Sequence, residues 1–175
     1  NVVIAEGYRL LKIDTLDNRP VSETILEKLI QSIKNTSADG VAFCDFRHGI
    51  FSRMSVPLLT EAIPPNIFSV ADSQVASRWG NITEFKGFDL ITPNERESRF
   101  ALADQDSTIG GLSGLLHERA ENKNLILKLG ERGVFCSVKD QTVDNPYFSV
   151  SSFASTIKDA VGSGDALLAY ATLSM

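Results

Sequence analysis

The chain has 175 residues, 43% of them hydrophobic and 22% charged, the balance of an ordinary globular domain long enough to bury a core. A net charge of −5 and a sequence pI near 5.0 argue against a reader of nucleic-acid backbones, because the 17 basic residues form no run. No apolar stretch approaches the ~18 residues that span a bilayer and no basic-then-apolar leader opens the sequence, so no membrane partner and a cytoplasmic location are expected.

In chain order, strand patterns cover Val2 to Ala5 and Tyr8 to Asp14, and LDNRPVSE supplies turn residues. Ile25, Leu26, Leu29, Ile30 and Ile33 then recur at helical spacing behind Ser22, a cap for the first turn. The alternation continues with a strand at Gly40 to Cys44, a helix around Val56 to Ile63, and strands at Ile67 to Ala71 and Asp89 to Thr92. Helices follow at Glu95 to Ala103 and Ile109 to Asn122, then strands at Leu125 to Leu129, Val134 to Val138 and Tyr147 to Val150, and a last helix from Gly162. Short apolar strands separated by helices require a sheet covered on both faces, which predicts a single α/β domain over residues 1–175 with a doubly wound, mostly parallel sheet.

Cys44 and Cys136 stand far apart in apolar strand segments and read as two buried thiols, with no disulfide framework or CxxC site. His48 and His117 are isolated as well, so no zinc centre is expected. Sheets of this class bind ligands beyond the carboxyl ends of their strands. The polar groups there are Asp45 with Arg47 and His48, Asp72 with Ser73, TPNERE from Thr92 to Glu97, and Gly130 with Glu131. Each also fits a plain turn or helix cap.

The run DAVGSGDA, Asp159 to Ala166, leads into a helix apolar almost all round, which predicts that the helix is buried. Gly162 and Gly164 let backbone N–H groups approach an anion at a helix start, where the dipole favours negative charge. A carboxylate at Asp165 beside such a site is suited to taking a proton from an acceptor hydroxyl. The same residues equally fit an ordinary helix start in which Asp165 stabilises the first turn. No GxxxxGK[ST] or GxGxxG is present, which removes the P-loop and dinucleotide alternatives.

DAVGSGD resembles the second signature of the PfkB (ribokinase-like) carbohydrate kinase family, approximately D-(T/S/V)-x-G-x-G-D, with Ala160 at the usually hydroxyl-bearing position. TPNERE resembles the family's N-x-x-E motif through Asn94 and Glu97, and KLGERG the strand end that lines its nucleotide site. The resemblance runs over essentially the whole chain. It is nearest to the sugar-phosphate kinases that include the heptose-7-phosphate kinases, whose D-Y-x-K-G and D-P-K are replaced here by Asp45-Phe46-Arg47-His48-Gly49 and Asp72-Ser73-Gln74.

The resemblance implies a ribokinase-like three-layer sandwich, incomplete at both ends and lacking the amino-terminal sugar-binding and lid region. It also implies an ATP-dependent, Mg²⁺-assisted kinase acting on a sugar or sugar phosphate. Asp165 would be the base, with Gly162, Ser163 and Gly164 as the anion hole. Asn94 and Glu97 would position Mg²⁺ through water, and Asn94, Lys128 and Gly130 would line the nucleotide site. Asp45, Arg47 and Asp72 would lie on the substrate side, with Arg47 either gripping phosphate or simply solvated. Open sheet edges point to a homodimer. A noncatalytic nucleotide-binding or interaction module with a kinase fold is the alternative.

Overall fold

A computed structural model of the chain describes residues 2–5, 8–12, 19–74, 81–140, 142–154 and 161–175. β1 (Val2–Ala5) and β2 (Tyr8–Lys12) pair antiparallel as a two-stranded ribbon. The predicted end of β2, Ile13 and Asp14, lies outside the described residues, as do Asp159 and Ala160. α1 (Glu23–Lys34) starts where the Ser22 hydroxyl accepts from the Ile25 N–H at 3.4 Å. Its Leu26, Leu29, Ile30 and Ile33 pack against the core, while Ile25 in the first turn is exposed.

Six further strands form one sheet in the order β3 (Gly40–Asp45), β4 (Phe68–Ser73), β5 (Leu90–Ile91), β6 (Asn124–Lys128), β7 (Val134–Val138) and β8 (Tyr147–Val150). β3 to β6 run parallel to one another, β7 runs antiparallel to β6, and β8 runs antiparallel to β7. The crossovers carry α2 (Ser55–Glu61), α3 (Glu95–Leu102) and α4 (Ile109–Ala120), and the chain ends in α5 (Ser163–Ser174). α3 and α4 stop one and two residues earlier than predicted, because Ala103 and Glu121 turn into the left-handed region and break the hydrogen-bond ladder.

Strand alternation sorts the sheet into two faces. Phe43, Ala71, Ile91, Leu125 and Leu127 belong to one cluster, together with Leu59 of α2 and Leu112, Leu116 and Ala120 of α4. Phe43, Phe85 and Phe88 meet there, the last two edge to face at 5.8 Å. Val70 and Leu90 belong to the opposite cluster, packed with Cys44, Ile126, and Leu168 and Ala171 of α5. The α/β sandwich expected from the sequence is thus present, with helices on both faces of a mostly parallel sheet.

Two expectations about burial are corrected. α5 is not buried: Leu168 alone among its described residues is, while Tyr170 and Leu173 are 74% and 84% exposed. A helix that is apolar all round needs cover on two sides, and the sheet supplies one. Cys44 and Cys136 are half-buried free thiols rather than fully buried ones. Both sit in strands near an incompletely covered part of the sheet, where the cover over the α5 face comes from that single helix among the described residues.

Candidate active site

The carboxyl ends of β4 and β6, the start of α3 and the start of α5 converge on one region. β4 extends two residues beyond its predicted end, so Asp72 and Ser73 belong to the strand rather than to the turn after it. Asp72 shares the alternation of Val70, and Lys128 that of Ile126, so both project toward the α5 face. β5 between them has only two residues. Lys128 therefore reaches over its end, and its Nζ lies 3.1 Å from each Asp72 carboxylate oxygen. Both side chains are mostly buried, 17% and 16% exposed.

The sequence motifs TPNERE and KLGERG meet at the same place. Lys128 N–H donates to the Pro93 carbonyl at 2.9 Å, Asn94 bridges to Lys128, and Arg132 pairs with Glu95. Asn94 and Glu97 form a reciprocal capping box at the start of α3: Asn94 Oδ1 accepts from Glu97 N–H at 2.8 Å, and Glu97 Oε2 accepts from Asn94 N–H at 2.7 Å. N-x-x-E is therefore a helix cap here as well as a candidate metal motif.

Gly130 and Gly133 both take positive φ, 62° and 91°, and the turn between them brings β7 back beside β6. A side chain at Gly133 would collide with the Val150 carbonyl of β8, so the second glycine of KLGERG is a packing requirement that was not singled out from sequence.

Gly162 is the N-cap of α5 and also lies in the left-handed region, φ 79°. Caps at α1, α3 and α4 come from the side chains of Ser22, Asn94 and Thr108. Gly162 has none to give, so the first turn of α5 receives no acceptor from its own cap. Asp165 stands exposed in that turn. A Cβ added to Gly164 would come within 3.2 Å of Lys128 Nζ, which places the ammonium directly against the loop.

A cleft of about 550 Å³ opens here, lined by Asn94, Lys128, Gly130, Gly133, Ser163 and Gly164 among others. A second, of about 790 Å³, lies on the other side of Asn94, Lys128 and Gly130 and is bounded by α3. Burial pushes the Asp72 carboxyl above its ordinary range against the opposing pull of Lys128, and the charge of Asp165 adds to the rise. Glu97 is likewise raised, by burial first. Burial, followed by the charges of Asp72 and Asp165, raises the Cys44 thiol. Asp72, Asp165 and Glu97 thus share one electrostatic neighbourhood with Lys128.

Asp45 and Arg47 lie apart from this group. Asp45 follows the alternation of Phe43, toward the opposite face. Its Oδ2 receives Arg47 NH1 at 2.6 Å and the Ser73 hydroxyl at 3.3 Å, while Oδ1 receives Arg47 N–H at 2.8 Å. Arg47 is not a solvated side chain: it is 12% exposed, paired, and held by a left-handed backbone at φ 64°. Asp72 is the substrate-side candidate that joins the cleft residues.

Among the described residues no group of three or more His, Cys, Asp or Glu side chains is placed to hold a metal. The capping box uses Glu97 Oε2, and Oε1 stands outside it. One available carboxylate oxygen suits Mg²⁺, which keeps several waters and takes its remaining ligands from phosphates. His117 is structural: its Nε2 lies 2.9 Å from the Ser137 hydroxyl and its Nδ1 3.1 Å from the Asn122 carbonyl. No helix among the described residues is long and apolar enough to cross a membrane.

The profile described as pfkB family carbohydrate kinase matches residues 58–172. The bifunctional protein HldE of Helicobacter pylori strain HPAG1 is 23% identical over 99% of this chain and 37% of its own length. The protein of the same name from Wolinella succinogenes is 22% identical over 95% of this chain and 34% of its own. The chain spans about a third of the length of these curated relatives. Among solved structures, the tetrameric inhibited form of phosphofructokinase-2 from Escherichia coli superposes with a TM-score of 0.72 at 13% identity, covering 95% of this chain and 53% of that one. Ribokinase from Giardia lamblia gives 0.65 at 16% identity, covering 86% and 46%. The fold is that of the ribokinase-like kinases, and the chain belongs to the pfkB family of carbohydrate kinases.

Proposed function

We infer that the protein transfers the γ-phosphoryl group of ATP to a hydroxyl of a sugar or sugar phosphate. The observation that carries this reading is the start of α5: a glycine cap with no side chain to accept from the first-turn N–H groups, beside an exposed carboxylate at Asp165. The N–H groups of Gly162, Ser163 and Gly164 form the anion hole for charge on the γ-phosphate. Asp165 takes the proton of the acceptor hydroxyl as that oxygen bonds to the γ-phosphorus. The bond from γ-phosphorus to the β,γ-bridging oxygen breaks, and ADP leaves.

Asn94 and Gly130 line the nucleotide cleft together with Lys128. Glu97, through Oε1 and a water, would hold Mg²⁺, and the ion would supply positive charge to offset that of the ATP phosphates. The capping box contributes by fixing the Glu97 rotamer.

The test is ATP-dependent phosphorylation of a panel of sugars and sugar phosphates by the full-length protein. Turnover on some member of the panel is expected, with Asp165→Asn losing about 10²- to 10⁴-fold in kcat, the range of general-base catalysis. Unchanged turnover in Asp165→Asn contradicts the assignment of the base. ATP binding with no turnover on any acceptor favours a noncatalytic nucleotide-binding module.

A further inference from the structure

Lys128 is the only charged side chain among the described residues that line the 550 Å³ cleft. The other lining groups are apolar or carry hydroxyls, an amide or bare glycine backbone. Its ammonium is held at 3.1 Å from both oxygens of Asp72, at the contact limit of Gly164 and beside the glycine-capped first turn of α5. Around it the neighbouring charges are negative: Asp72, Glu97 and Asp165. A polyphosphate entering this cleft would meet one lining cation, Lys128, with the three carboxylates set back from the lining.

Building on the kinase reading, we propose that Lys128 is a specific ligand of the nucleotide's terminal phosphates, held in reserve by Asp72 and passed from that carboxylate to the phosphate on binding. A lysine suits the task because its ammonium is a point charge on a flexible four-carbon stem and can exchange partners by rotating. The short β5 makes the exchange possible, since it ends at Ile91 and leaves only the uncharged Thr92 beside Asp72. Asp72 is thus a positioning residue that acts through Lys128.

Calorimetric titrations of ATP, ADP and AMP into the full-length protein distinguish this role from a structural ion pair. Lys128→Gln is expected to weaken ATP by about 10- to 100-fold, the worth of a hydrogen bond to a charged group, while AMP, which lacks the terminal phosphates, changes less than about threefold. Lys128→Arg is expected to recover part of the ATP affinity. Asp72→Asn should bind ATP at least as tightly as wild type, because it releases the ammonium and removes a negative charge; this keeps the proposal testable if Lys128→Gln does not fold. Equal losses for ATP and AMP in Lys128→Gln, no loss for either, or weaker ATP binding in a folded Asp72→Asn overturns the proposal while leaving the kinase reading in place. A wild-type protein that binds none of the three nucleotides overturns both.

Discussion

Asp45–Arg47 and Asp72–Lys128 are both strand-end ion pairs on the same sheet, yet they are built for different ends. The first is local, two residues apart, and Asp45 is 98% buried at its side chain with every described partner inside the protein. The second joins residues 56 positions apart, lies on the face of the sheet that carries α5, and borders open space. A pair with both members enclosed fixes a loop. A pair whose cation also borders a cleft can exchange one partner for a ligand. The proposed chemistry lies at the end of β6 rather than at the end of β3, although the sequence marks both ends with a similar acid and base.

Breaking the enclosed pair should give the larger effect on stability. Arg47→Ala leaves Asp45 buried without its counter-ion and is expected to cost about 3–5 kcal/mol, read as a fall in Tm. Lys128→Gln should lower Tm by less, because the carboxyl it leaves unpaired, Asp72, keeps 16% exposure against 2% for Asp45, and burial already favours its neutral form. Equal destabilisation by the two would erase the distinction. The capping box ranks next. Asn94→Ala removes the acceptor for the Glu97 N–H and should destabilise by about 1 kcal/mol, whereas Asn94→Asp keeps an acceptor and should restore most of that loss.

The smallest effect concerns acid. Burial holds the His117 imidazole below its ordinary pKa near 6.5, with the neighbouring Lys139 charge adding to the depression. The unfolded chain then takes up the proton first, so stability is retained above about pH 6.5 and falls as the pH drops below it, with a slope of at most about 1.4 kcal/mol per pH unit. His117→Gln should flatten the dependence of Tm on pH between 7 and 5.5. An unchanged slope in that variant would assign the acid sensitivity to other groups.

Much of the fold was legible because the signals were local. Helical spacing behind Ser22 found α1, and short apolar runs found the strands of the main sheet. The cap at Asn94 was legible too, since N-x-x-E is written within one helical turn, although the same letters also read as a metal motif. What escaped depended on tertiary cover or on distance along the chain. α5 has an apolar sequence on every side, but composition does not say how many neighbours will cover it, and Tyr170 and Leu173 are exposed. The left-handed backbone at Arg47 has no sequence marker such as glycine. The Asp72–Lys128 pair could not be read because it depends on β5 being only two residues long between its partners.

The central claim is that the cleft between β6 and the start of α5 is the nucleotide site of a kinase, and ATP titration of the full-length protein by calorimetry with and without Mg²⁺ tests it most directly. The account predicts saturable binding that tightens when Mg²⁺ is present. Absence of ATP binding at millimolar nucleotide, with Mg²⁺ and a folded protein, would contradict it.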